Sequence, residues 1–299
     1  MVMRPLFSGE DIDLHIVLGT PILYSRSYDM IIFSDVHLGF EESVARGLDY
    51  SSRRVSTRYT GMFIPKIQLR NTLKKLGFVF KYLKPKRVII NGDLKHAFDR
   101  LLRQEREEVK KLLNYLISNG VKEIIVVRGN HDNFLPIILR EYGIELVREY
   151  ELYFNNYKTL FIHGHLEKDI SKYDLVVIGH EHPSLRCFNT YKFPAFLIVP
   201  TILGNRIVVL PAMSAYHPGT SISLDPENYL SPLIKKYGIL NKARVIVWVE
   251  YETVEDIEFG IESTVSEDLV IIDNYQLDNR GISVIEFKDI ETALLTCGL

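Results

Sequence analysis

Five short runs of β-branched and aromatic residues recur along the first two thirds of the chain. Each ends in a polar cluster: MIIFSD (30–35), RVIINGD (87–93), EIIVVRGNHD (123–132), TLFIHGH (159–165) and LVVIGHEH (175–182). Apolar runs of this length predict buried strands of a largely parallel sheet. Helical periodicity separates the first three. Residues 66–83 stop ahead of Pro85, and 97–118 carry Leu102, Val109, Leu112, Leu113 and Leu116 on one stripe before Asn119 and Gly120 end it. The order βαβαβ predicts an α/β fold. Farther along, PAFLIVPTILGNRIVVLPA (194–212) reads as two strands joined by a two-residue hairpin turn at Gly204–Asn205, the start of a second sheet. VIVWVEYE (245–252) and ISVIEF (282–287) add strands, with Trp248 packing in that second sheet, while 214–241 reads as a surface loop.

The composition, 46% hydrophobic and 25% charged over 299 residues, is that of a globular chain with a sizeable core and excludes disorder or a rod. No secretory apolar region opens the sequence, and the most apolar later stretch is broken by Pro200, Gly204, Asn205 and Arg206, so no membrane span is expected. The net charge of -2 conceals an asymmetry: residues 250–299 hold 13 acidic and 2 basic side chains. The two cysteines, Cys187 and Cys297, lie far apart without a CxxC partner, which predicts neither a disulfide framework nor a thiolate zinc site and places the chain in a reducing, cytoplasmic setting.

Six of the nine histidines, His37, His131, His163, His165, His180 and His182, fall in four of the strand-end clusters. Open α/β sheets gather ligands at the carboxyl ends of their strands, so these clusters are expected to converge although they span half the chain. Oxygen donors from Asp35, Asp93 and Asn130 with imidazoles from His37, His163, His180 and His182 suit divalent ions of intermediate hardness, manganese first, with iron or zinc as alternatives. Seven donors exceed what one ion takes but suffice for two, about 3.5–4 Å apart, if a carboxylate bridges them. Asp93, on the middle strand, is the expected bridge. Water flanked by two such cations ionises near neutral pH, which makes hydroxide the expected nucleophile.

SDVH (34–37), NGD (91–93), GNHD (129–132), HGH (163–165) and GHEH (179–182), in that order, resemble the calcineurin-like metallophosphoesterases over roughly residues 22–215. The resemblance implies a four-layer α/β/β/α sandwich over a core of residues 1–225, followed by a β-rich acidic extension, 226–299. It implies Asp35, His37, Asp93 and His182 around one metal, Asp93, Asn130, His163 and His180 around the other, and a catalytic His131. GDLKH (92–96) stands where protein phosphatases carry GDxxDR; its His96 is similar to a phosphate-contacting histidine of DNA-repair nucleases. HLGFEE, FIPKIQ, NGDLKH and GHEHPS look closer still to prokaryotic phosphoesterases, archaeal ones and bacterial ones encoded beside a DNA ligase or helicase. The implied activity is phosphodiester or nucleic-acid hydrolysis, with a cationic His96 on the phosphate and His131 protonating the leaving oxygen. A phosphomonoesterase or nucleotide pyrophosphatase, and a non-catalytic scaffold, are the alternatives.

Several residues carry two readings. Asp132 either holds the His131 ring or caps the helix begun by NFLPIILREY. His165 contacts substrate or satisfies loop carbonyls. Arg46, Arg53, Arg54, Arg58, Tyr50 and Tyr59, in a stretch longer than is usual for the resembling group, form either a nucleic-acid-contacting lid or a solvated insertion. The acidic extension is a structural addition or a surface that docks a basic protein partner or repels nucleic acid.

Overall fold

The computed structural model describes residues 2–47, 64–188, 190–217, 219–252 and 269–298. Tyr50, Arg53, Arg54, Arg58 and Tyr59 lie outside them. The first sheet has seven strands in sequence order, β1 (Met3–Pro5), β2 (His15–Val17), β3 (Leu23–Ser25), β4 (Met30–Phe33), β5 (Arg87–Asn91), β6 (Glu123–Val127) and β7 (Leu146–Val147). β1 to β4 pair antiparallel and β4 to β7 parallel. The parallel part is the predicted βαβαβ unit; the three short antiparallel strands before it were not anticipated. Four helices belong to this half, α1 (Phe40–Ala45), α2 (Gln68–Tyr82), α3 (Arg103–Ser118) and α4 (Pro136–Leu139).

The second sheet contains β8 (Tyr150–Phe154), β9 (Tyr157–Phe161), β10 (Leu175–Ile178), β11 (Pro183–Cys187), β12 (Tyr191–Pro200), β13 (Arg206–Val209), β14 (Thr220–Ser221), β15 (Arg244–Glu252), β16 (Val270–Leu277) and β17 (Arg280–Phe287). Its main order is β16-β17-β15-β12-β13-β10-β9-β8, with β11 pairing β12 and β14. Two short helices follow its strands, α5 (Pro232–Tyr237) and α6 (Ile290–Thr296), so the stretch expected to be loop, 214–241, holds a helix. β12 and β13 do form an antiparallel hairpin, but its turn is longer than two residues: Thr201 N–H already bonds the Asn205 carbonyl across it at 3.0 Å. The acidic strands β15, β16 and β17 continue the sheet from β12, with Trp248 6.0 Å from Phe196.

Alternation along the strands divides the core into three apolar layers. Ile32, Ile89 and Val127 of the first sheet face Phe161, Val177 and Ile198 of the second. On the other face of the first sheet, Phe33, Val88 and Ile90 pack on Leu76 and Val79 of α2 and Leu112 and Leu116 of α3. Leu160, Val176 and Val245 of the second sheet pack on Leu233 and Ile234 of α5 and Ala293 of α6. Each such side chain taken fully from water contributes about 1.5–3 kcal/mol, which fixes the sheets face to face. Mixed α/β layering with two mixed sheets and a β-rich C-terminal region is thus the architecture. Among the described residues no helix is long and apolar enough to cross a membrane.

The cysteine expectation fails. Cys187, at the end of β11, and Cys297, just past α6, form a disulfide across 110 residues. They meet because α6 packs on the second sheet, and Phe188 N–H donates to the Cys297 carbonyl at 2.9 Å. The argument for a reducing compartment falls with it. Closing so long a loop should stabilise the fold, and Cys297→Ser is expected to lower the unfolding free energy by about 2–4 kcal/mol in urea titrations under non-reducing conditions. Coincident midpoints for the two proteins would mean that the bond contributes nothing.

Candidate metal centre

The parallel strands β4 and β5 go on hydrogen-bonding after their regular ends. Asp35 N–H donates to Gly92 O (3.0 Å), His37 N–H to Asp93 O (2.9 Å) and Leu38 N–H to Leu94 O (3.0 Å), so the two polar loops run side by side. Five residues of the expected site, Asp35, His37, Asp93, His180 and His182, take positive φ, from 46° to 68°, a conformation that non-glycine residues adopt at a cost. Close approach also demands glycine nearby. A Cβ on Gly92 would lie 2.2 Å from Nδ1 of His163, and one on Gly129 2.1 Å from Oδ1 of Asp93. The glycines of NGD and GNHD are therefore part of the site's geometry.

All nine residues singled out in the sequence come together here. Ligating atoms of Asp35, His37 and His182 lie within 4.8 Å of one another, as do those of Asp93, His163 and His180. Nε2 of His182 is 3.0 Å from Oδ1 of Asp35, and Nε2 of His163 is 3.2 Å from both Oδ2 of Asp93 and Oδ1 of Asn130. Asp93 Oδ2, itself in the second triad, is also 3.8 Å from Nε2 of His37 in the first, so this carboxylate adjoins both. His96 presents Nδ1 to Nδ1 of His37 at 3.2 Å, and His131 Nδ1–H donates to the His96 carbonyl.

Burial opposes charge throughout the site, and each group answers according to its partners. At Asp93 the imidazoles of His163, His131 and His37 outweigh burial and hold the carboxyl well below its usual range. His182, with His163, also lowers Asp35 against its burial. Burial likewise resists a cationic His163, but Asp93 and Asp35 raise it to about 10; Asp35 raises His182 in the same way. The other rings have no such support. Burial and then the neighbouring imidazoles bring His96 down to about 2, and His165, His180 and His217 to about 4. Burial and the neighbouring His131 ring thus disfavour the cationic form of His96 that the sequence led us to expect.

The donor set fits divalent cations. Nε2 of His37 and Nε2 of His182 face each other at 3.3 Å, a separation that one ion bonded to each nitrogen at about 2.0–2.1 Å spans. Carboxylate, amide and imidazole donors from five separate loops have no apolar reason to share one buried pocket.

Both readings of Asp132 are overturned. Its carboxylate neither holds His131 nor caps α4; it accepts the backbone N–H groups of Asp93 (2.8 Å), Leu94 (2.9 Å), Lys95 (3.3 Å) and Gly129 (2.9 Å). It clamps the second and third metal loops to each other. Nor does His165 satisfy loop carbonyls: its Nδ1 is buried with no hydrogen-bond partner among the described residues. α3, whose Leu stripe packs in the core, turns a polar face to the loops. Glu105 accepts from the N–H groups of His96 and Leu102, and Glu108 from that of Gly39.

One histidine was missed. His217 stacks on His37 with centroids 4.5 Å apart and the planes inclined by 29°, and its Nδ1 lies 2.8 Å from Ser214 Oγ. No β-run precedes it, so the strand-end rule does not find it. Counting would have: eight of the nine histidines meet around this site, and only His15, on β2, stands apart.

Layered α/β architecture with buried His/Asp clusters of this kind defines a protein built to hold metal ions. Residues 29–180 match the family described as calcineurin-like phosphoesterase, and the chain belongs to that family. The nuclease MPE of Pseudomonas putida is similar in crystal structure, with a TM-score of 0.53 at 17% identity over 82% of this chain and 96% of that one. A protein of unknown function from Aquifex aeolicus aligns at a TM-score of 0.31 and 18% identity, over 50% of this chain and 77% of that one. Vacuolar protein sorting 29 of Cryptosporidium parvum aligns at 0.31 and 13%, over 87% and 97%. No curated protein matches the sequence.

Asp132→Ala would leave four buried N–H donors without their acceptor. At about 1–3 kcal/mol for each unsatisfied group, partly relieved by relaxation, the variant is expected to lose on the order of 3 kcal/mol in denaturant titrations and to bind metal more weakly. Wild-type stability in this variant would show that the clamp carries no load.

Proposed function

We propose that the protein is a dinuclear-metal phosphodiesterase acting on nucleic acid, with the helix, sheet, sheet, helix order read as the four-layer sandwich of its family. The observation that carries this is the position of Asp93, in one donor triad and 3.8 Å from His37 of the other, with His131 beside it. In this reading residues 1–225 form the catalytic core and 226–299 an extension added to the edge of the second sheet. Asp35, His37, Asp93 and His182 hold one ion, and Asp93, Asn130, His163 and His180 the other. Manganese suits this mixture of hard oxygen and imidazole donors, with iron or zinc as alternatives. When bound, two such ions activate water and neutralise charge on the phosphoryl oxygens.

The chain's own groups do the rest. His131 Nδ1–H, engaged by the His96 carbonyl, orients the ring, so that when both nitrogens are protonated Nε2–H gives its proton to the departing oxygen and the ring is left neutral with Nδ1–H. A lone pair on His37 Nε2 puts that ring's proton on Nδ1, where it is donated to His96 Nδ1. His96 then keeps its own proton on Nε2 and meets a phosphoryl oxygen as a neutral donor. Buried loops and the His217 ring exclude bulk water, which strengthens each of these contacts. The structural likeness to a nuclease favours nucleic acid as the substrate, and a single-stranded oligonucleotide is the form we would test first; a small phosphomonoester is the competing substrate class.

His131→Ala is expected to lower kcat by about 10²–10⁴ with close to two ions retained per chain. Comparing bis-p-nitrophenyl phosphate, p-nitrophenyl phosphate and a labelled single-stranded oligonucleotide under added manganese tests the substrate class. Preference for the diester and the oligonucleotide is expected; preference for the monoester overturns the phosphodiesterase reading, and loss of metal in His131→Ala makes that residue a ligand.

A further inference from the structure

A cavity of about 280 Å³ lies away from the metal centre, between α2, the turn joining β2 to β3, and the C-terminal strands. One face of α2 lines it: Asn71, Lys74, Lys75 and Phe78 follow the i, i+3, i+4, i+7 spacing that puts side chains above one another. Leu18, Leu277 and Ile282, all buried, form its apolar floor, while Arg280 and Glu250 pair at 3.1 Å on its rim.

The polar groups on this face have unspent hydrogen-bonding capacity. Lys75 Nζ has a single bond, a long one of 3.4 Å to the carbonyl of Met213, a residue with no exposed surface, so the ammonium sits at the cavity's inner end. No carboxylate lies within ion-pair distance of it among the described residues. Neither the Asn71 amide nor Lys74 has a side-chain partner among them. Lys74, Lys75 and Arg280 against Glu250 leave an excess of positive charge around an apolar floor. Lys75 is only partly exposed, and an ammonium with reduced access to water and no anion beside it is costly. Burial pulls Lys75 down to about 8, with the more distant Glu250 only partly opposing it.

We infer that this cavity is a binding site for a small oxyanion with a compact apolar or aromatic body. Its carboxylate or phosphate head meets Lys75 and Asn71, and its body lies against Phe78, Leu18 and Ile282. The volume falls just below the roughly 300 Å³ at which pockets for drug-sized ligands begin, which restricts the body to about one ring. No residue lining the cavity belongs to the metal centre, yet the two are back to back. Met213, whose carbonyl holds Lys75, donates its N–H to Ser34 at 3.0 Å, and Ser214 N–H donates to the Asp35 carbonyl at 3.1 Å.

Calorimetric titration of the metal-loaded protein with phenylphosphonate and with benzoate tests the site, because neither anion is hydrolysed. Phosphonate also reaches the metals, so the diagnostic signal is the binding component that Lys75→Met removes and Asn71→Ala weakens at least fivefold. Wild type is expected to show that component for one or both anions; phosphonate alone assigns phosphate monoesters, and benzoate as well extends the class to carboxylates. Lys75→Met should melt no lower than wild type and hydrolyse bis-p-nitrophenyl phosphate at the wild-type rate. Superimposable isotherms for wild type and Lys75→Met with both anions overturn the proposal.

Discussion

Two carboxylates, Asp35 and Asp93, are almost entirely out of water, at 0% and 2% exposure, and the arrangement around them follows from the expense of keeping charge there. Each needs positive charge or donated protons at close range. Backbone N–H groups supply part: His180 N–H to Asp35 at 3.2 Å and His131 N–H to Asp93 at 2.9 Å. Imidazoles supply the rest. His163 and His182 face the two acids, while His37, His96, His165, His180 and His217 are kept neutral by burial, which preserves lone pairs that a cation can use. Buried carboxylates beside imidazoles that burial keeps unprotonated form a donor set that suits divalent cations.

Holding those anions in place falls to residues that never face a substrate. Asp132 gathers four N–H groups of two loops, and Glu105 and Glu108 reach from α3 to the loops that carry His96 and Gly39. Gln68, at the start of α2, accepts the Ala215 N–H at 2.8 Å and so ties the segment bearing His217 to the first sheet. Strain at five positive-φ residues is affordable only because these bonds over-determine the loops.

Much of this was legible in the chain. Apolar runs ending in Asp, Asn and His announce strands whose carboxyl ends carry ligands, since a parallel sheet must aim those ends the same way. What escaped did so for physical reasons. β1 to β3 have three residues each, too few to display a period. Cys187 and Cys297 are joined by the docking of α6 on the second sheet, and tertiary packing leaves no trace in spacing. Asp132, adjacent to a catalytic candidate and ahead of a short helix, has two local roles open to it in sequence; it takes a third, because loops distant in the chain offer more unsatisfied donors than either. His217 follows no strand and is brought in by the Ser214 and Gln68 contacts.

The central claim is that one carboxylate, Asp93, is shared by two adjacent cations. Counting manganese per chain by elemental analysis, in wild type and in Asp93→Asn after removal of free metal, tests it most directly. Two ions are expected in wild type and loss from both positions in the variant. One ion in wild type, or two retained by Asp93→Asn, would contradict the claim.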